Sequence, residues 1–296
     1  MMSRPMIIDA HVHIFNQGII ENVAQKTEMV RRLHQEANEV RTRTGIKTLE
    51  DSMKTAGVEA CLLLPTAGPE KIYKTNSSFI NAAAGSRHIY TAGTLHPDYL
   101  KNRDELSRFK SMGMRAIKLC SFSQGFTLDG EKTIALFNLI RDENRHNDGN
   151  LFVILDTFYS ADKFFGTPAG HNTTPALLGE LVRGYPEIRF IGAHMGGLDA
   201  PVKEIYEHLP PRDNLFLDTS NAAHTLERND FIRLLKSHGH EHIVFGTDWP
   251  WFGYTGEIRL IEGLCDEAGY SKGQKASLFG GNIARLLGIE NRLISH

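Results

Sequence analysis

The stretch Leu151-Phe152-Val153-Ile154-Leu155-Asp156 decides the fold. Five apolar side chains follow one another without alternation, and a carboxylate ends the run. A strand buried on both faces reads this way, and such strands belong to parallel sheets covered by helices. Seven further segments share the character: Met6–Ala10, Val58–Leu64, Ile89–Leu95, Met114–Leu119, Ile188–His194, Asn214–Ser220 and His242–Asp248. Between them lie segments with helical spacing, at Thr48–Ala56, Tyr73–Ala84, Lys101–Met112, Lys132–Arg145, Pro175–Tyr185, Val202–Leu209, Leu226–Lys236 and Gly256–Ala268. In the fourth of these, Ile134, Phe137 and Ile140 set an apolar seam beside charged positions.

Strands and helices alternating eight times in 296 residues predict an α/β protein, a closed (β/α)8 TIM barrel, for which about 250 residues is typical. A doubly wound open sheet is the rival. It should carry a Gly-rich phosphate loop after the first strand, where His-Val-His stands instead. The chain reads as a single domain over 1–296. Residues 14–47 form an insertion after the first strand, with Val30, Leu33, Ala37 and Val40 on one stripe of a charged helical stretch. In a barrel that loop opens on the catalytic face, so it reads as a lid or as a packing helix on the rim. Ser271–Leu278 and Asn282–Leu287 read as closing helices.

Composition narrows the function classes. Lys+Arg is 33 and Asp+Glu 35, a balance of −2. That argues against a basic nucleic-acid binder and against an acidic disordered tail. The apolar N-terminal stretch is broken by Asp9 and His11, too short for a signal-peptide core. The longest apolar runs are far below the roughly 20 residues of a membrane span. Three widely spaced cysteines, Cys61, Cys120 and Cys265, cannot all pair within the chain. The expectation is a soluble, cytoplasmic protein with neither nucleic acid nor membrane as partner.

Fourteen histidines stand out. Ile8-Asp9-Ala10-His11-Val12-His13 puts two of them at i and i+2 on a strand, where both side chains point the same way. His11 and His13 can therefore face one ion, at the C-terminal end of a barrel strand, where such active sites gather. Other strand ends carry comparable groups: Lys118 after the fourth, Asp156 after the fifth, His194 after the sixth, Asp248 after the eighth.

These motifs together resemble the amidohydrolase superfamily, in the branch that holds metal-dependent hydrolases and the aminocarboxymuconate-semialdehyde and resorcylate decarboxylases. The resemblance rests on His11-x-His13, on Gly113-Met-Arg-Ala-Ile-Lys-Leu119, on His194-x-Gly-Gly197, on Gly246-Thr-Asp-x-Pro250 and on Asn282-Ile-Ala-Arg-Leu-Leu287. It implies that His11 and His13 bind a divalent metal and that Asp248 is a further ligand that also takes a proton. It implies that His194 is an acid/base group near the metal or a second-metal ligand. The family usually has a histidine after strand five; Asp156 stands there, as an oxygen ligand or as the mark of a weakened site. Lys118 matches a lysine carboxylated in some two-metal members and here is expected to anchor a substrate carboxylate, or to pair with Asp156. Asp9 reads as a group holding a ligand histidine. Thr219 and Ser220 read as hydrogen-bonding groups for substrate, and Trp251 as a wall of the substrate pocket. His96, His171 and His224 are weaker candidates. His238, His240 and His242 precede strand eight and read as a solvated loop.

The implied activity is hydrolysis of a small, carboxylated lactone, amide or ester by metal-activated water, with zinc expected and manganese or iron also suited to the ligands. A nonoxidative decarboxylase and a noncatalytic ligand-binding barrel are the alternatives. A small molecule is the expected partner, and association into homo-oligomers is compatible with the fold.

Overall fold

The computed structural model describes residues 6–146 and 150–290. Nine strands are seen among them: β1 (Ile8–Val12), β2 (Ala60–Leu63), β3 (Ile89–Thr91), β4 (Gly93–Thr94), β5 (Ala116–Leu119), β6 (Phe152–Leu155), β7 (Arg189–Gly192), β8 (Leu215–Asp218) and β9 (Ile243–Val244). Helices stand at each predicted position, so the alternation holds except between β3 and β4, which a single residue separates. Every residue of β1, β2, β5, β6 and β8 is buried, the polar Asp9, His11 and Lys118 included. Two-sided burial is what their unbroken apolar runs required.

The chain folds into two compact units. The first comprises residues 1–63, 86–90 and 218–296; the second, 64–85 and 91–217. In the first, β1 lies parallel to β2, with Ile8 opposite Ala60 and Asp9 opposite Cys61. The segment after β9 runs along the other edge of β1, where Phe245 O accepts from Ala10 N at 2.8 Å and Trp249 O from His13 N at 2.7 Å. The predicted eighth strand shrinks to Ile243–Val244 because Phe245 N–H turns to Leu278 O at 3.0 Å in the C-terminal tail. That tail forms the helices Lys272–Ala276 and Asn282–Leu287 with a π-turn between them. Asn282 donates to His240 O at 2.6 Å and Ile243 O at 2.7 Å, which ties the last helix to β9.

The insertion is not one helix but three: Gln17–Ala24, Thr27–Arg32 and Ala37–Val40. His34, at φ 54°, breaks the run before the third. Ile20, Val23, Met29, Leu33 and Val40 are buried, while Val30 is only half-buried. The side chain of Ala37, placed on the same stripe from the sequence, lies outside the described residues.

In the second unit, β4 to β8 run parallel. Ala116 faces Phe152, Phe152 faces Arg189 and Phe190 faces Leu215. The predicted strand Ile89–Leu95 is split at Ala92. Asn76 explains the short second piece: its side chain bonds both Thr94 O (3.0 Å) and Thr94 N (2.8 Å), taking the place of a neighbouring strand. Among the described residues no helix is long and apolar enough to cross a membrane.

Candidate metal centre

In the first unit, β1 ends in a group built for an ion. His11 Nε2 and His13 Nε2 stand 3.0 Å apart, and Asp248 Oδ1 lies 3.8 and 3.6 Å from them. The three donor atoms fall within 4.8 Å of one another, and all three residues are buried. The fit is chemical as well as spatial. With metal–nitrogen bonds of about 2.0–2.1 Å, two imidazoles on one ion stand roughly 3.0–3.4 Å apart. Two imidazoles and a carboxylate suit zinc, manganese or iron.

A carboxylate that sequence reasoning passed over holds this group in shape. Asp218, at the end of β8, accepts from His11 Nδ1 at 2.8 Å, and neither side chain is exposed to solvent. Placing the proton on Nδ1 makes Nε2 the nitrogen whose lone pair would ligate an ion. Asp218 is held in turn by Ser220, whose N–H donates to Oδ1 at 3.1 Å and whose hydroxyl bonds the same oxygen. Ser220 Oγ also lies 3.2 Å from His11 Nδ1. Ser220 and Thr219 therefore serve the scaffold: Thr219 Oγ1 both donates to Gly246 O (3.0 Å) and accepts from Gly246 N (3.1 Å). The one sequence signal for Asp218 was an acidic residue closing an apolar strand, Leu215-Phe-Leu-Asp218.

Asp9 does not hold an imidazole. Its Oδ1 accepts from the backbone N–H groups of His11 (2.9 Å) and Thr247 (3.0 Å), and its Oδ2 from Thr247 Oγ1 (2.5 Å). It fastens the strand that bears the histidines to the loop that bears Asp248. Burial pushes its pKa up to about 7, against the lowering effect of the Thr247 and His11 bonds. Asp248 sits at φ 63°, a left-handed conformation unusual for a residue with a side chain. Its N–H donates to His11 O at 3.0 Å and its carbonyl accepts from Trp251 N at 2.9 Å. Gly246 provides the room: a Cβ there would lie 2.9 Å from His11 Cβ and 3.3 Å from Ser220 Cβ.

Beside the histidines runs an aromatic wall. The His13 and Phe15 rings stack at 4.9 Å, and Phe15 meets Trp251 at 5.4 Å. His224 stacks on Phe252 at 4.4 Å and pairs with the buried Glu257 at 2.6 Å.

The second unit carries the other sequence-predicted groups. Lys118, fully buried in β5, reaches Asp156 Oδ2 at 3.3 Å, the salt bridge weighed from the sequence. His194 Nε2 lies 4.0 Å from the same oxygen, and His194 too has a left-handed backbone, φ 54°. His96 is structural: Nδ1 accepts from Asp98 N at 3.0 Å and Nε2 bonds Gln124 O at 3.0 Å. The carbonyl of His171 accepts from the Ser121 hydroxyl. In the first unit the stretch expected as a solvated loop is partly interior, for His238 is buried and His240 and His242 are half-buried.

The amidohydrolase family model matches residues 105–289 of the chain. No protein of curated function matches it. Among solved structures it is similar to a TIM-barrel protein from Bordetella bronchiseptica, at 18% identity and a TM-score of 0.73 over 97% of this chain and 100% of that one. It is similar to a dihydroxybenzoic acid decarboxylase from Polaromonas sp. JS666, solved with manganese and 2-nitroresorcinol, at 15% identity and a TM-score of 0.71 over 99% and 100%. It also resembles a protein proposed to be a 2-pyrone-4,6-dicarboxylic acid hydrolase from Pseudomonas putida, at 18% identity and a TM-score of 0.64 over 97% and 99%. At such identities these likenesses establish the fold, a TIM barrel.

Proposed function

The chain belongs to the amidohydrolase family, and from that membership we propose that it is a metal-dependent hydrolase of a small, carboxylated lactone, amide or ester. One observation carries the reading: His11, His13 and Asp248 offer two nitrogens and an oxygen within 4.8 Å, with His11 locked by Asp218. Zinc is the ion we assign, with manganese or iron as substitutes of the same charge.

A divalent ion bound by these side chains would polarise a substrate carbonyl and acidify water. His11 and His13 would hold it through Nε2. Asp218 keeps the His11 ring in the ligating tautomer. Asp248 takes the proton of the attacking water and returns it to the leaving group. In the second unit, Lys118 is assigned to the substrate carboxylate, Asp156 to holding that lysine and to service as an oxygen ligand, and His194 to proton transfer. Trp251 extends the aromatic wall along the substrate. The partner is a small molecule, and homo-oligomer formation is part of the same reading. Three buried free thiols suit a reducing cytoplasm.

The wall of His13, Phe15 and Trp251 favours a second reading, nonoxidative decarboxylation of a planar aryl acid. Product analysis separates the two. Protein purified without chelator is assayed against lactones, esters, amides and aryl acids in oxygen-18-labelled water. Incorporation of the label, loss of turnover with chelator, and rescue by zinc or manganese support hydrolysis. Carbon dioxide release with no oxygen label in the organic product supports decarboxylation. Full turnover by Asp248→Asn with an intact fold would overturn both.

A further inference from the structure

The segment 248–253 carries Asp248 and Trp251, and its two halves are held differently. The inner half is tied to β1 through Asp248 N–His11 O and His13 N–Trp249 O. The outer half has no strand beside it among the described residues, and Trp249 and Gly253 of the segment border a cleft of about 460 Å3. Its consecutive carbonyls, Pro250 O and Trp251 O, are instead taken by the insertion. Arg43 Nη1 donates to Pro250 O at 3.2 Å, and Glu36 N–H donates to Trp251 O at 3.2 Å.

Arg43 is itself held from two sides. Nη1 pairs with Glu36 Oε2 and Nη2 with Glu39 Oε2, each at 2.6 Å, and the side chain is only 15% exposed. Glu36 therefore closes a ring, with its backbone on Trp251 and its carboxylate on the guanidinium that holds Pro250. Gly253 is an independent witness. Its φ of −90° is open to any residue, so its backbone does not call for glycine. A Cβ there, however, would stand 2.9 Å from Arg43 Nη2. The glycine is what lets the loop lie against the guanidinium.

We propose that Arg43 is a positioning residue, fixing 248–253 against the insertion and so setting the Asp248 carboxylate and the Trp251 ring. The part concerning Asp248 rests on the metal-site reading above. Arginine suits the task because its planar fork serves two carboxylates and a carbonyl at once, which a lysine ammonium cannot reproduce.

The chain offers its own probe. Its two tryptophans, Trp249 and Trp251, both lie in this segment, so emission excited at the red edge reports on it alone. Arg43→Gln, Arg43→Lys and Gly253→Ala are compared with the intact protein and with Arg31→Gln, an exposed charge change in the same insertion. Acrylamide quenching is read without metal, and Mn(II) affinity by chelator competition. Far-UV circular dichroism and Tm report folding. In Arg43→Gln and Gly253→Ala, quenching should rise and Mn(II) affinity should fall roughly three- to tenfold, less than the loss typical of direct outer-sphere partners. Arg43→Lys should fall between, and Arg31→Gln should match the intact protein. Should Arg43→Gln fail to fold, Gly253→Ala tests the same contact from the other side. Unchanged quenching, or raised quenching with unchanged Mn(II) affinity, overturns the proposal. If the intact protein binds no Mn(II), the metal reading fails instead, and quenching alone decides whether Arg43 holds the loop.

Discussion

Asp218→Asn changes one atom in the centre and should weaken metal binding steeply. The carboxylate serves donors on both oxygens: His11 Nδ1 at 2.8 Å on one, Ser220 N–H at 3.1 Å and the Ser220 hydroxyl on the other. An amide has a single acceptor oxygen. If its NH2 turns to His11, Nδ1 must become the acceptor and the ring proton moves to Nε2, the atom that ligates. If it turns to Ser220, it meets a backbone N–H, and an unsatisfied buried donor costs about 1–3 kcal/mol. Neither group is open to solvent, so water cannot relieve either arrangement. Loss of such a partner typically costs 10–100-fold in metal affinity, or about 1.4–2.7 kcal/mol. The assay is competition of zinc or manganese against a chelator, with Tm and circular dichroism as folding controls. Nitrogen NMR of the imidazoles adds a direct reading of the tautomer. Ser220→Ala leaves the carboxylate in place and should cost less, about 0.5–1.5 kcal/mol. Affinity within twofold of the intact protein in a folded Asp218→Asn would refute the orienting role.

Gly246→Ala should push β1 away from the Asp248 loop, because its Cβ would stand 2.9 Å from that of His11; denaturant unfolding should show a loss of about 1–3 kcal/mol together with weaker metal binding. Lys118→Met removes the nearest cation from the Asp156 carboxylate. Urea unfolding should show a loss of about 3–5 kcal/mol, as for a broken buried pair, and Lys118→Met/Asp156→Leu should recover most of it. Burial pushes the Cys265 thiol up to about 12 and the Cys61 and Cys120 thiols well above their usual range. Thiolate is the reactive form, so a thiol reagent at pH 8 should label none of the three until the protein unfolds; prompt labelling of the native chain would refute their burial.

Much of the fold was readable in the amino-acid order because two-sided burial leaves a local trace. Phe152–Leu155 and the strands β1, β2, β5 and β8 from segments like it have every residue buried. The misreadings have local causes of another kind. The second half of Ile89–Leu95 is held by an amide from Asn76 at Thr94, and the insertion is broken by a left-handed His34. Periodicity registers neither a side chain arriving from elsewhere nor a single reversed φ. At the site, the histidines at i and i+2 announced themselves, since strand geometry alone turns both to one face.

By itself the sequence determined the strand–helix alternation, the pairing of His11 with His13, and the closing helices, all consequences of hydrophobic patterning and backbone periodicity. Only the tertiary structure decided what Asp218, Asp9, Gly246 and Arg43 do. Asp218 meets His11 across 207 positions, and Arg43 meets Pro250 across the same span. An acidic residue at a strand end or an arginine in a charged helix reads the same whether it faces water or a buried ring. The difference lies in which partner the fold brings within 3 Å, and no local pattern encodes that.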